Sequence, residues 1–177
     1  YVMVSQSDRG INLPIANHFP NLLILSSGGV GHVPIPLLAS PQVPLENLRA
    51  GSERKYLVNY VGSMKHAPAD FRTKVKQLVQ KHVEFLGASS FGWGYVANWQ
   101  QEMGNSRASL AIRGYGRTSF HLAETIQLGL IPIHVYDDIA WVPYREIFER
   151  DIGFIATLDS LPSVLNQVGE CEFFIII

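Results

Sequence analysis

The chain has 177 residues, 47% of them apolar and 16% charged, and its 14 Lys and Arg against 15 Asp and Glu leave a net charge of -1. That length supports one ordinary domain with a real core, or one domain plus part of another, and the composition argues against intrinsic disorder. The near-neutral balance argues against a broad nucleic-acid footprint, and the single cysteine, Cys171, rules out a disulfide framework or a cysteine-based zinc site.

Residues 1–49 hold short apolar runs broken by prolines. Runs at 1–4, 22–25 and 33–38 predict strands, separated by the turn chemistry of Ser7-Asp8-Arg9-Gly10 and Ser26-Ser27-Gly28-Gly29. Pro34, Pro36, Pro41 and Pro44 form an extended connector into Gly51-Ser52-Glu53-Arg54, the expected domain boundary. From Lys55 the pattern changes. Residues 56–61 read as a strand, and 69–86 as a helix with apolar positions 71, 75, 78, 79, 83 and 86, lysines opposite and Gly87 as its stop. After an irregular glycine and aromatic segment come a strand at 108–112, a helix at 118–128, strands at 131–136 and 153–156, and a helix at 159–168. Alternating strands and helices predict an α/β fold, a Rossmann-like parallel sheet with flanking helices. The start at Tyr1 and the apolar run 173–177 read as cut ends, and no run approaches the ~18 residues of a membrane span.

In such sheets ligands bind outside the carboxyl ends of the strands. Three loops belong there: Gly62-Ser63-Met64-Lys65, residues 113–119, and Asp137-Asp138. In the middle one, Arg113 and Arg117 stand beside Gly114 and Gly116, with Thr118 or Ser119 as the helix cap. Helix-start N–H groups and arginines both seek anionic oxygens, so a phosphate or diphosphate is the expected ligand. If helical geometry runs from Arg117, then Arg117, His121 and Glu124 share one face. The competing reading is a surface loop in which Arg117 pairs with Glu124 or with solvent.

Other motifs carry less. Asp137-Asp138 fits either a divalent cation against a diphosphate or, as favoured here, a turn whose carboxylates take loop amides. Gly28-Gly29-Val30-Gly31 lacks the helix a dinucleotide loop requires, and the six histidines show no metal-binding spacing. Phe91, Trp93, Tyr95 and Trp99 suit core packing better than a stacking platform. Lys74, Lys76 and Lys81 read as the solvated face of the 69–86 helix, and Cys171 as an inert thiol.

The run Arg113-Gly-Tyr-Gly-Arg-Thr-Ser-Phe-His-Leu-Ala-Glu124, then Leu128-Gly-Leu-Ile-Pro-Ile133, Asp138 and Trp141-Val-Pro-Tyr144, resembles the exostosin family of glycosyltransferases. Tyr60-Val-Gly-Ser63 with Arg72, Val33-Pro-Ile-Pro36 and Ser7-Asp8-Arg9-Gly10 extend the likeness. The departures are Thr125 where alanine is usual, and His121 where arginine is common. The resemblance implies a two-domain GT-B fold, with residues 1–49 the end of the acceptor-side domain and linker, and 50–177 the nucleotide-sugar-binding domain. It implies inverting transfer from a UDP-sugar to a glycan or glycoprotein acceptor, without a bound metal or other cofactor. In that frame Arg117 and the Thr118 and Ser119 amides stabilise the leaving diphosphate, supported by Arg72, Arg113, Gly62, Ser63 and Gly114. Glu124 takes the ribose hydroxyls, and Asp8 is the one candidate base. UDP binding is then expected to survive chelation and to weaken sharply in Arg117→Ala. Eukaryotic relatives are typically anchored in the Golgi by an N-terminal helix, which would lie outside this chain. The alternatives are a non-catalytic nucleotide-sugar-binding or partner module, working as a homo- or heterodimer, and a flavodoxin-like domain for another phosphate ligand.

Overall fold

The computed structural model describes residues 1–11, 18–38 and 53–171. Pro41, Pro44, the expected boundary at 49–50 and the run 173–177 lie outside the described residues. Two parallel sheets are present among them. The small one pairs β1 (Val2–Ser5), β2 (Leu23–Ser26) and β3 (Val33–Pro34) in that order. All three start within one residue of where the apolar runs predict strands. β3 stops after two residues, because Pro34 and Pro36 remove ladder donors.

The large sheet is α/β and Rossmann-like, with all five strands parallel and helices on both faces. Its strands are β4 (Tyr56–Val61), β5 (Ser90–Gly94), β6 (Ser106–Ile112), β7 (Ile131–Val135) and β8 (Phe154–Ala156), ordered β5-β4-β6-β7-β8. The helices are α1 (Phe71–Phe85), α2 (Trp99–Met103), α3 (Phe120–Gln127), α4 (Arg145–Ile147), which runs into a π-helical turn at Phe148–Ile152, and α5 (Leu161–Glu170). In α1, Phe71, Val75, Val79 and Val83 recur every four residues and pack with Leu161, Leu165 and Val168 of α5 against one sheet face. Each fully buried valine there contributes roughly 1.5–3 kcal/mol over exposure, so this stripe orients the helix. Lys74 sits on the opposite face, paired with Asp70 at 2.9 Å. The other sheet face is covered by Met103 and Leu128 in one cluster and Leu122, Val142 and Phe148 in another.

Helix ends follow their local chemistry. Gly87 and Gly129 take φ of +65° and +59°. Around them the N–H groups of Gly87, Ala88, Gly129 and Leu130 bond back to Glu84, Val83, Ile126 and Thr125, closing α1 and α3 with the same paired pattern.

Two parts of the large sheet escape the sequence reading. Residues 90–94, expected to be irregular, form β5, in which Trp93 is an extra residue: Tyr60 pairs with Gly92 and Val61 with Gly94. Pairing with β4 overrides the turn propensity of the glycines, and the bulge sets Trp93 at φ +72°. The π-helical turn at 148–152 likewise has no signature in the sequence pattern.

The strand order places a switch point between β4 and β6. From β4 the chain crosses through α1 to β5 on one side, then returns through α2 to β6 on the other. The space beyond the carboxyl ends of β4 and β6 is therefore flanked by connections leaving in opposite directions, and a crevice opens there. The small sheet stands against this edge. Trp141 Nε1 donates to the Ser26 carbonyl at 2.9 Å, and the Arg117 N–H donates to the Gly28 carbonyl at 3.0 Å.

Candidate functional site

A cleft of about 490 Å³ occupies that switch point. Gly62 and Ser63 reach it from the end of β4, Arg72 from the start of α1, and Gly114 from the end of β6. Thr118 and Ser119 line it just before α3, Glu124 from within α3, and Asp8 from the turn after β1. Eight of the ten sequence-predicted site residues thus meet in one place. Arg113 and Arg117 do not line it.

Ser119, not Thr118, caps α3: its hydroxyl accepts from the His121 N–H at 3.2 Å. The helix begins at Phe120, so Arg117 is not on a helical face with His121 and Glu124, as continuous helix from 117 would require. The cause is local, since Ser119 is extended at φ -148° and ψ 144° and turns the chain into the helix.

Two arginines are neutralised behind the cleft. Arg113 Nη1 lies 2.5 Å from Asp137 Oδ1 and 2.9 Å from Asp138 Oδ1. Its remaining N–H groups donate to the carbonyls of Gly114, Tyr115 and Gly116, so one side chain holds the whole loop in shape. Arg117 Nε lies 2.7 Å from Asp138 Oδ2, and Arg117 Nη1 donates to the Gly29 carbonyl in the bend after β2. Burial pushes the Asp138 carboxyl up, but hydrogen bonds from Arg117 and the Ile139 N–H, with the charges of Arg113 and Arg117, outweigh it and hold the pKa below the usual carboxylate value. Asp137 and Asp138 therefore serve as counter-charges to arginine as well as loop acceptors.

Arg72 is different. Its side chain is buried, and it donates to the carbonyls of Ser63, Ile112 and Arg113. The guanidinium also stacks over the Tyr60 ring, 5.6 Å from its centroid. Among the described residues no carboxylate lies within ion-pair distance of it. Burial lowers its pKa, yet a guanidinium stays charged in a protein. A buried cation satisfied by neutral carbonyls leaves net positive charge facing the cleft. The N–H groups of Ser119 and Phe120 open the same wall at the start of α3. The combination suits an anionic ligand.

Opposite this cationic floor stands a hydrogen-bonded series that the sequence did not announce. Asn59 of β4 and Ser109 of β6 are polar, register partners and both fully buried. Asn59 Nδ2 donates to the Met103 carbonyl at 3.1 Å, and Ser109 Oγ donates to Asn59 Oδ1 at 2.6 Å. Ser109 Oγ also meets His121 Nε2 at 2.9 Å, and His121 Nδ1 lies 3.3 Å from Glu124 Oε2. Ser109, His121 and Glu124 have the connectivity of a hydrolase triad, but Ser109 is 0% exposed and its proton is committed to Asn59. A nucleophile needs its hydroxyl open to substrate and its proton directed to the histidine. Neither holds here, and the series is a support for Glu124.

The remaining lining is aromatic and basic. Tyr60 Oη donates to the Ser63 carbonyl at 2.9 Å, and burial raises the Tyr60 pKa against the opposing Arg72 charge. Arg9 lies over the Tyr115 ring at 5.1 Å, with His66 beside the same ring. Sequence reasoning passed over Tyr60, His66, Tyr115 and Arg9 as site residues. Asn59, alone among the apolar and aromatic residues of β4, is the one signal that could have pointed at the interior support.

The remaining candidates lie elsewhere. Phe91 and Trp99 pack on the Met103 cluster and Trp93 on the main core, while Tyr95 is exposed; none lines the cleft. Cys171, half-buried after α5, is also away from it. Among the described residues no three His, Cys, Asp or Glu side chains gather as metal ligands.

Fold and cleft together define a Rossmann-like α/β protein with a crevice at the switch point of its sheet. No family model matches the chain, and no curated protein matches its sequence.

Proposed function

We propose that this chain is the donor-binding part of an exostosin-like inverting glycosyltransferase of GT-B architecture, which takes a UDP-sugar and glycosylates a glycan or glycoprotein acceptor without a metal. The observation that carries this reading is the buried Arg72 cation, unpaired with any carboxylate among the described residues, on the floor of the switch-point cleft. The resemblance of residues 113–144 to exostosins supports it independently.

In this reading the diphosphate lies between Arg72 and the start of α3, and Glu124 accepts the ribose hydroxyls. An acceptor hydroxyl attacks the anomeric carbon from the face opposite the diphosphate, the carbon–oxygen bond to diphosphate breaks, and the hydroxyl proton passes to a base. Negative charge grows on the leaving diphosphate, where preorganised cations and N–H dipoles stabilise it most. Asp8, which lines the cleft from the turn after β1, is the candidate base. Arg113 and Arg117 act one layer out, shaping the loop and joining it to the small sheet.

A non-catalytic nucleotide-sugar-binding module is the second reading. It is favoured by the neutralisation of Arg113 and Arg117, which leaves Arg72 as the main free cation for a diphosphate. Calorimetry with UDP in EDTA tests the donor site: binding is expected, with a loss of tenfold or more in Arg72→Gln. No binding, or binding that strictly requires Mn²⁺, overturns it. Acceptor-dependent release of UDP from a UDP-sugar then separates the transferase from the inert module.

A further inference from the structure

The hydrogen bonds behind Glu124 run in one direction, and that direction fixes protons. Asn59 Nδ2 faces the Met103 carbonyl, which only accepts, so Asn59 Oδ1 is the atom facing Ser109. Two oxygens 2.6 Å apart need a proton between them, and the Ser109 hydroxyl supplies it. Ser109 Oγ is then left as an acceptor for His121, which puts a proton on Nε2. On the far side of the ring, Nδ1 faces Glu124 Oε2 at 3.3 Å. The ring edge and the carboxylate, three residues apart on α3, are thus in direct contact.

From this we infer that His121 is a positioning residue that clamps Glu124 and makes the cleft select a ligand with vicinal hydroxyls, the chemistry of a ribose, over one lacking a hydroxyl. The inference rests on the donor-site reading above. An unheld glutamate on a helix surface rotates about three side-chain bonds and adapts to whatever approaches. Here the imidazole is 6% exposed and anchored through Ser109 and Asn59 to the carbonyl of Met103, so the Glu124 carboxylate has a rigid partner. Tyr60 closes the other side of the ring, with centroids 5.9 Å apart in an edge-on arrangement. A carboxylate fixed this way offers its second oxygen to the cleft at one place. A ligand that lacks a hydroxyl there leaves the cleft-facing carboxylate oxygen without a donor, which is the condition for strong discrimination.

The test is calorimetry on the full chain with UDP, 2′-deoxy-UDP and inorganic pyrophosphate. The wild type is expected to bind UDP at least about tenfold more tightly than the deoxy analogue. His121→Leu is expected to bring that ratio within about twofold while pyrophosphate still binds, because Arg72 is untouched. His121→Asn, whose amide N–H reaches the place of Nδ1, is expected to restore part of the ratio. Ser109→Ala cuts the anchor but keeps the imidazole; it is expected to lower the ratio too, and it serves if His121→Leu does not fold. A wild-type ratio near one, with pyrophosphate and UDP both bound, overturns the clamp and leaves the donor site standing. So does a wild-type ratio retained in both His121→Leu and Ser109→Ala. Binding of none of the three ligands overturns the donor-site reading and this inference with it.

Discussion

Arg117 Nε lies 2.7 Å from Asp138 Oδ2, and the same guanidinium donates to the carbonyl of Gly29. One side chain therefore joins the end of β7, the loop after β6 and the small sheet. Its charge is balanced on the spot, whereas the charge of Arg72, deeper and without a carboxylate, is not. The division of labour between these two arginines can be measured.

In Arg117→Ala, UDP affinity is expected to fall by less than in Arg72→Gln, because only the latter removes a cation from the cleft floor. The loop at residues 27–31 is instead expected to exchange its amide hydrogens faster, since it loses the Arg117 side-chain strut. Hydrogen exchange and calorimetry on the two variants decide. An equal or larger affinity loss in Arg117→Ala would assign Arg117 to the ligand directly.

Gly116→Ala is expected to destabilise the joint between the sheets. A Cβ there would meet the carbonyl oxygen of Asp8, and that of Gly28 at 2.6 Å, both backbone atoms that cannot swing aside. Forced overpacking of this kind costs about 1–3 kcal/mol. The checks are a lowered unfolding midpoint and earlier proteolysis near Asp8 and Gly28.

Arg113→Ala is expected to be the most destabilising of the loop substitutions. It removes a buried guanidinium that organises three loop carbonyls and leaves Asp137 and Asp138 adjacent without their shared counter-charge. Hydrogen bonds to charged groups are worth about 1.5–3 kcal/mol. The lower end applies here, because both carboxylates are partly in water. Denaturant unfolding at neutral pH measures it.

His134 predicts an acid-side loss of stability. It is fully buried on β7, and neither ring nitrogen has a hydrogen-bond partner among the described residues. Burial lowers its pKa from 6.5 to about 4; the Ala111 backbone opposes this and the Arg113 charge adds to it. The unfolded chain takes up a proton as pH falls through 6.5, while the folded one stays neutral until about pH 4. Stability contributed by the neutral ring is therefore complete above pH 6.5 and declines between pH 6.5 and 4, by up to about 3 kcal/mol. Comparing the unfolding free energies of wild type and His134→Leu at pH 7.5 and pH 4.5 isolates the effect. An identical pH dependence in the two would refute it.

Much of the architecture was readable from neighbouring residues. The stripe Phe71, Val75, Val79 and Val83, the stops at Gly87 and Gly129 and the Ser119 cap are short-range signals, and each operates as its residue type requires. β5 was not readable, because Gly92 and Gly94 look like turn residues until β4 lies alongside them. The cleft's location followed from loops at strand ends, and eight of its expected residues line it. Its inner support did not: Asn59 and Ser109 are fifty positions apart, and only the pairing of β4 with β6 brings them together.

Periodicity and capping are written within a few residues of one another, so a chain read in order yields the Rossmann-like sheet, its helices and the edge where a ligand belongs. Free charge is not written that way. Whether an arginine is available depends on which carboxylates and carbonyls surround it. For Arg113 and Arg117 those are Asp137 and Asp138, more than twenty positions along the chain, and a glycine carbonyl from the other sheet. Arg72, a helix residue buried among carbonyls, became the cation of the cleft only once the sheets had assembled around it.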